Sequence, residues 1–133
     1  MIWFLAFILF LAAGELVSSS GLLNCEPSEI AYEEITRQGQ KSTNTLCKCK
    51  YEPYKFSTAT SKDKTTVTVQ YKCKQVRPCV YGQKCQSLED GPQEKALKTH
   101  CTCAKGQQCH STPEHADESR IFGDTKYYSF VCV

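Results

Sequence analysis

Leu46-Cys47-Lys48-Cys49-Lys50-Tyr51 and Thr66-Val67-Thr68-Val69-Gln70-Tyr71-Lys72-Cys73-Lys74 are two alternating runs within one stretch of 133 residues, and their reading decides the fold class. Successive side chains of a strand point to opposite faces, so Val67, Val69, Tyr71 and Cys73 share one side while Thr68, Gln70, Lys72 and Lys74 take the other. The same rule groups Cys47, Cys49 and Tyr51 and turns Lys48 and Lys50 outward. The stretch therefore predicts a β-hairpin, sulfur-rich and apolar inside, basic outside. Between its strands Ser57–Thr66 is small and polar without an apolar anchor, which predicts a solvated loop.

Upstream, Ile2–Ala13 is twelve uninterrupted apolar residues, too short to cross a bilayer and of the length of a secretory h-region. Small residues at 17–20 then suit a signal peptidase. Residues 1–20 are expected to be a signal peptide and 21–133 a single secreted domain with no transmembrane segment. That domain has only seventeen Leu, Ile, Val or Phe, few for a packed core. All ten cysteines (Cys25, Cys47, Cys49, Cys73, Cys79, Cys85, Cys101, Cys103, Cys109 and Cys132) lie within it. An even count in an oxidising compartment reads as a disulfide framework, although about 945 pairings are open to it.

The fold class expected is small, disulfide-rich and mainly β, with one short N-terminal helix. The helix is placed after Asn24-Cys25-Glu26-Pro27, because Pro and acids come early, Arg37 late and Gly39 after the end. Residues 38–45 are expected to be loop, 77–85 a knotted loop, and Ser87–Glu94 a connection turning at Asp90-Gly91-Pro92. A second short strand pair is expected from Lys98–Ala104 and Lys126–Val133, with Tyr128, Phe130 and Cys132 on one face. C-x-C recurs at 47–49 and 101–103, and Gly-Gln-Lys-Cys (82–85) echoes Gly-Gln-Gln-Cys (106–109), a weak internal repeat.

C-x-C near His100, His110 and His115 raises zinc, whose structural sites usually space their ligands by two to four residues. Compartment favours disulfides, so neither metal nor cofactor is expected. No Gly-x-Ser-x-Gly or His-Glu-x-x-His motif is present, and fully paired cysteines leave no thiol nucleophile. An enzyme is not expected.

Charge is the positive signal. The whole chain carries only +2, yet between Lys41 and Lys84 ten cations face only Glu52 and Asp63. Such a field favours an anionic partner, such as the acidic mouth of a cation channel, anionic lipid or a polyanion, with Tyr51, Tyr54, Phe56 and Tyr71 as apolar anchors. Nucleic acid is not a partner expected outside the cell. The opposing reading is a lysine-protected sheet face. Lys48, Lys50, Lys72, Lys74 and Tyr71 are the candidate binding residues.

The order of C-x-C, Cys73-x5-Cys79-x5-Cys85, C-x-C-x5-Cys109 and a terminal aromatic-x-Cys resembles the larger cysteine-rich venom polypeptides of centipedes, the scoloptoxins. The resemblance implies secretion from a venom gland and, for some members, action on voltage-gated channels; it carries over no functional residue. The function expected is a monomeric, extracellular toxin that binds a membrane ion channel through the basic hairpin. A secreted protease inhibitor exposing Gln75–Pro78 and a cysteine-rich signalling ligand are the alternatives.

Overall fold

The computed structural model describes residues 21–74 and 76–133; the expected signal peptide, and Gln75 of the loop considered for an inhibitor, lie outside them. Among the described residues the strands are β1 Ile30–Arg37, β2 Gln40–Thr45, β3 Tyr54–Ser61, β4 Thr66–Lys72, β5 Lys84–Asp90, β6 Glu94–Thr99, β7 Glu118–Phe122 and β8 Thr125–Val131. They form one antiparallel sheet in the order β2-β1-β4-β3-β6-β5-β8-β7. A single 3-10 turn, Pro113–His115, is the only helical element described. The small, disulfide-rich, mainly β expectation holds.

The N-terminal helix does not. Ile30–Arg37 is a strand, and what looked like a helix stop is the two-residue turn Gln38-Gly39, both at positive φ (50° and 80°). That backbone matches the twist of a tight hairpin, for which glycine is suited. Ile30, Ile35 and Thr36 are β-branched, and β1 finds partners on both sides, β2 and β4. The decisive hairpin also has a different first strand. β4 forms as expected, but its partner is Tyr54–Ser61, where a loop was expected, and Cys47–Tyr51 lies outside the strands. Ser-Thr-Ala-Thr-Ser needs no apolar anchor there, because β3 is laddered to β4 on one side and β6 on the other. Likewise Ser87–Glu94 is mostly β5 and the start of β6, with only Gly91–Gln93 as the turn. Lys98–Ala104 is strand only as far as Thr99, whereas the C-terminal strand is β8 as expected.

The topology is the same unit used twice. β2-β1-β4-β3 and β6-β5-β8-β7 are identical orders, joined where β3 pairs β6. Cys25 and Cys79, Ala31 and Cys85, Cys47 and Cys101, and Cys49 and Cys103 are each 54 residues apart. Each unit has a bulge at the corresponding place, between Ile30 and Tyr32 and between Lys84 and Gln86. In the first, the Ala31 carbonyl accepts the N–H groups of Leu46 (2.8 Å) and Cys47 (3.2 Å); in the second, the Cys85 carbonyl accepts those of His100 (2.8 Å) and Cys101 (3.5 Å). Parallel bridges Asn24–Lys48 and Pro78–Thr102 repeat the pattern.

Disulfides follow the repeat and close each unit on itself. Cys25–Cys47 corresponds to Cys79–Cys101, both spanning 22 residues, and Cys49–Cys73 to Cys103–Cys132. The second unit adds Cys85–Cys109, Cys109 lying in a crossing five residues longer than its counterpart. The C-x-C echo is thus a structural equivalence. The Gly-Gln-x-Cys echo is not, since Cys85 lies on β5, Cys109 lies outside the strands, and the two are bonded to each other.

Each unit has its own small core at the disulfide end of its strands. Ala31, Cys47 and Cys73 form one, with Tyr32 packed alongside; Cys85, Leu88, Cys101 and Phe130 form the other. The turns lie at the opposite end, tied to one another by Gln38 N–H to Thr65 O and Lys62 N–H to Gln93 O. Between core and turns the sheet is one layer thick, and most of β3 and β4 is half-exposed. A polar row crosses the first unit: Gln70 Nε2 donates to Glu33 (2.8 Å), and Ser57 Oγ donates to Gln70 (3.3 Å), which satisfies the buried serine.

Candidate functional site

Chain entry and exit of the first unit create the most distinctive surface. The segment before β1 and the segment after β2 are held by Cys25 N–H to Lys48 O and Lys48 N–H to Leu23 O, both 2.9 Å. Cys49–Cys73 then draws the end of β4 to the same place. The result is an open cleft of about 850 Å³ lined by Asn24, Cys25, Glu26, Pro27, Lys50, Tyr51, Cys73, Lys74 and Arg77. Disulfide sulfur lines it, and three cations and Tyr51, 64 % exposed, stand around it. Glu26 is its one acid.

The structure brings together two of the four lysines expected to act, Lys50 and Lys74, and adds Arg77. Lys72 is elsewhere. It lies on β4 with Nζ 3.6 Å from the centroid of Phe56, a cation–π contact. Burial, followed by the nearby charges of Lys74 and Lys98, holds its pKa below the ordinary lysine value. Lys48 is exposed, and its backbone bridges Asn24. The cross-strand cluster of four lysines fails to form because Cys47–Tyr51 is not paired with β4; Tyr54 and Lys55 face Lys72 and Tyr71 instead. Tyr71 is engaged within the sheet, stacked on Tyr32 with centroids 4.3 Å apart, its hydroxyl 3.4 Å from Glu34 Oε2. Burial first, and then Glu34, raise its pKa.

Arg77 belongs to the charge run in the sequence, and with Cys49–Cys73 closed it lines the same cleft as Lys50. Five lysines outside the cleft are matched with acids. Lys41 pairs with Glu34, Lys62 and Lys95 with Asp90, Lys84 with Glu118 and Lys98 with Glu89. Among the described residues Lys50, Lys74 and Arg77 make no salt bridge.

Ser87 Oγ and His100 Nε2 are 2.8 Å apart, as in a nucleophile–base pair. Burial first, and then Lys98, Lys72 and Lys84, push the His100 pKa down. These three charges are cations, whereas a catalytic histidine of that type is oriented by an acid. Sulfur clusters such as Cys25, Cys49 and Cys73 have the proximity of metal ligands, but every one of these atoms is in a disulfide.

No protein-family profile matches the sequence. A curated relative does: U-scoloptoxin(11)-Sa1a of the centipede Scolopendra alternans is 61 % identical over 132 residues, covering 99 % of each chain. The chain belongs to the scoloptoxin family. It is therefore grouped with the venom toxins, and the cleft is a surface of a scoloptoxin. Among solved structures, unliganded Argos matches with 19 % identity and a TM-score of 0.38, over 84 % of this chain and 62 % of that one. A likeness that loose bears on neither fold nor function.

Proposed function

We propose that this scoloptoxin is a secreted toxin that acts on an ion channel of an excitable membrane, the voltage-gated class first, by presenting its basic cleft to acidic groups at the channel mouth. The observation that carries the reading is convergence: Lys50, Lys74 and Arg77, none of them in a salt bridge among the described residues, line one cleft with exposed Tyr51. Cation channels line their entrances with carboxylates, and a complementary field speeds encounter. An exposed tyrosine beside an arginine is also the composition of an energetic anchor at interfaces. Residues 1–20 serve as the signal that takes the chain out of the cell, so the mature protein begins between Ser20 and Leu22; N-terminal sequencing that finds Trp3 overturns that part.

The test is a triple reversal, Lys50→Glu, Lys74→Glu and Arg77→Glu, recorded on a panel of voltage-gated channels at two ionic strengths. Lys95→Glu with Lys105→Glu is the control; Lys98, which lies beside Lys72, is unsuitable for it. Potency should fall at least tenfold in the triple variant, change little in the control, and weaken as salt rises in the unaltered toxin. Equal potency of the triple variant and the unaltered toxin sinks the proposal.

A further inference from the structure

We propose that the β7–β8 hairpin tip is a shallow anchor for the surface of an anionic lipid bilayer, separate from the basic cleft. β7 is one of the two edge strands of the sheet and every residue of it is exposed. At its end Ile121 and Phe122, 73 % and 82 % exposed, project into solvent beside a two-residue turn opened by Gly123 at φ 61°. Large apolar side chains left bare at the end of an edge hairpin mark a contact surface.

The duplicated architecture supplies an internal comparison. Register aligns Ile121 with Thr60 and Phe122 with Ser61, since Ile121 faces Lys126 where Thr60 faces Val67, and Phe122 faces Thr125. The first unit completes that tip with polar groups: Ser61 Oγ donates to Asp63 (2.6 Å), and Thr65 N–H donates to the same oxygen (3.0 Å). The scaffold thus accepts a wholly polar tip. Ile121 and Phe122 are not demanded by it.

Placement of the groups fits a bilayer better than a protein groove. Side chains alternate, so Phe122 emerges on the face that holds Arg120 and Tyr127, and Ile121 on the face that holds Lys126. Each face therefore has an apolar group near the tip with a cation close by, Arg120 one step behind Phe122 and Lys126 directly across from Ile121. A groove engages one face of a hairpin, whereas the acyl boundary surrounds both, with cations reaching phosphates and tyrosine at the headgroup level. Arg120 is 80 % exposed, held only by a 4.0 Å approach to Glu118. Asp124, in the turn, keeps to the headgroups and limits the depth. Burial of apolar area plus attraction to anionic lipid is the usual basis of such binding.

The test is sedimentation of the mature, oxidised protein with phosphatidylcholine vesicles and with phosphatidylcholine/phosphatidylserine vesicles at 7:3, a composition of about one third anionic lipid. Ile121→Ser/Phe122→Ser should lower partition into the anionic vesicles at least about tenfold, as expected for withdrawing two large apolar side chains, with its melt unchanged. Phe122→Trp should show blue-shifted emission, quenched by lipids brominated near the headgroup. Unaltered partition of the double variant, an unquenched tryptophan, or no binding by the unaltered protein overturns the proposal. So does binding abolished by Lys50→Glu/Lys74→Glu/Arg77→Glu but not by the tip variant, or a tip variant whose change is in self-association measured by light scattering. Because vesicles contain no channel, this outcome is independent of the channel proposal.

Discussion

Removing Cys85–Cys109 by Cys85→Ala/Cys109→Ala should leave a folded protein whose second unit is built like the first. Cys85 is fully buried against Leu88, Cys101 and Phe130, and its counterpart Ala31 is also fully buried, so the site already accepts alanine in this architecture. The bond spans 24 residues, for which the chain-entropy relation gives about 3.5 kcal/mol. A small cavity at the lost sulfur adds about 1 kcal/mol, by analogy with deletion of one buried group. For a domain of this size each kilocalorie lowers the melting temperature by about 4 °C, so a drop of about 15 to 20 °C is expected with cooperativity kept. Calorimetry of the oxidised protein, with peptide mapping of the four remaining bonds, measures it. A variant that fails to fold, or that shuffles its remaining cysteines, refutes the equivalence of Ala31 and Cys85. A shift under 5 °C refutes the assignment of stability to chain constraint.

Two further outcomes follow from single side chains. Phe130→Ala, which empties the fully buried site of the second core, should cost about 3 to 5 kcal/mol in denaturant unfolding, while Tyr71→Ala at the equivalent half-exposed position should cost less; the reverse order contradicts the core assignment. The Ser61 hydroxyl, followed by the Thr65 amide and hydroxyl, lowers the Asp63 pKa from 3.8 to about 2. A depressed acid adds stability that is fully present above its unfolded value, near pH 4, and is lost as pH falls through about 2. Its carboxyl resonance should therefore titrate near pH 2 and the Lys62–Thr65 tip should loosen only below pH 4; a midpoint near 3.8 removes the hydrogen-bonded tip from the account.

The mainly β, sulfur-stapled class was legible because alternation around Cys73 and the scarcity of aliphatic residues are local facts. Strand β8 was legible for the same reason. β1 and β3 were not. Glu26, Pro27 and Gly39 mimic helix punctuation, and nothing within residues 26–39 shows that β1 lies between two strands. Ser57–Ser61 looks like loop because a one-layer sheet does not enforce an apolar face, and its ladder partners β4 and β6 are supplied by distant sequence. The C-x-C echo held the key to the repeat, since the equal 22-residue spacing from Cys25 and Cys79 identifies the two units. Lys50, Lys74 and Arg77 were visible as charge, but their convergence depends on the pairing Cys49–Cys73, which spacing alone leaves open.

Two self-closed units make up the fold, and the first shapes the basic cleft by drawing Cys73 to Cys49. The most direct measurement is a disulfide map of the native secreted protein, by proteolysis without reductant and tandem mass spectrometry. It should find Cys25–Cys47, Cys49–Cys73, Cys79–Cys101, Cys85–Cys109 and Cys103–Cys132, with no bond linking residues 25–73 to residues 79–132. A single bond between those two halves, or Cys73 joined to any partner but Cys49, would contradict it.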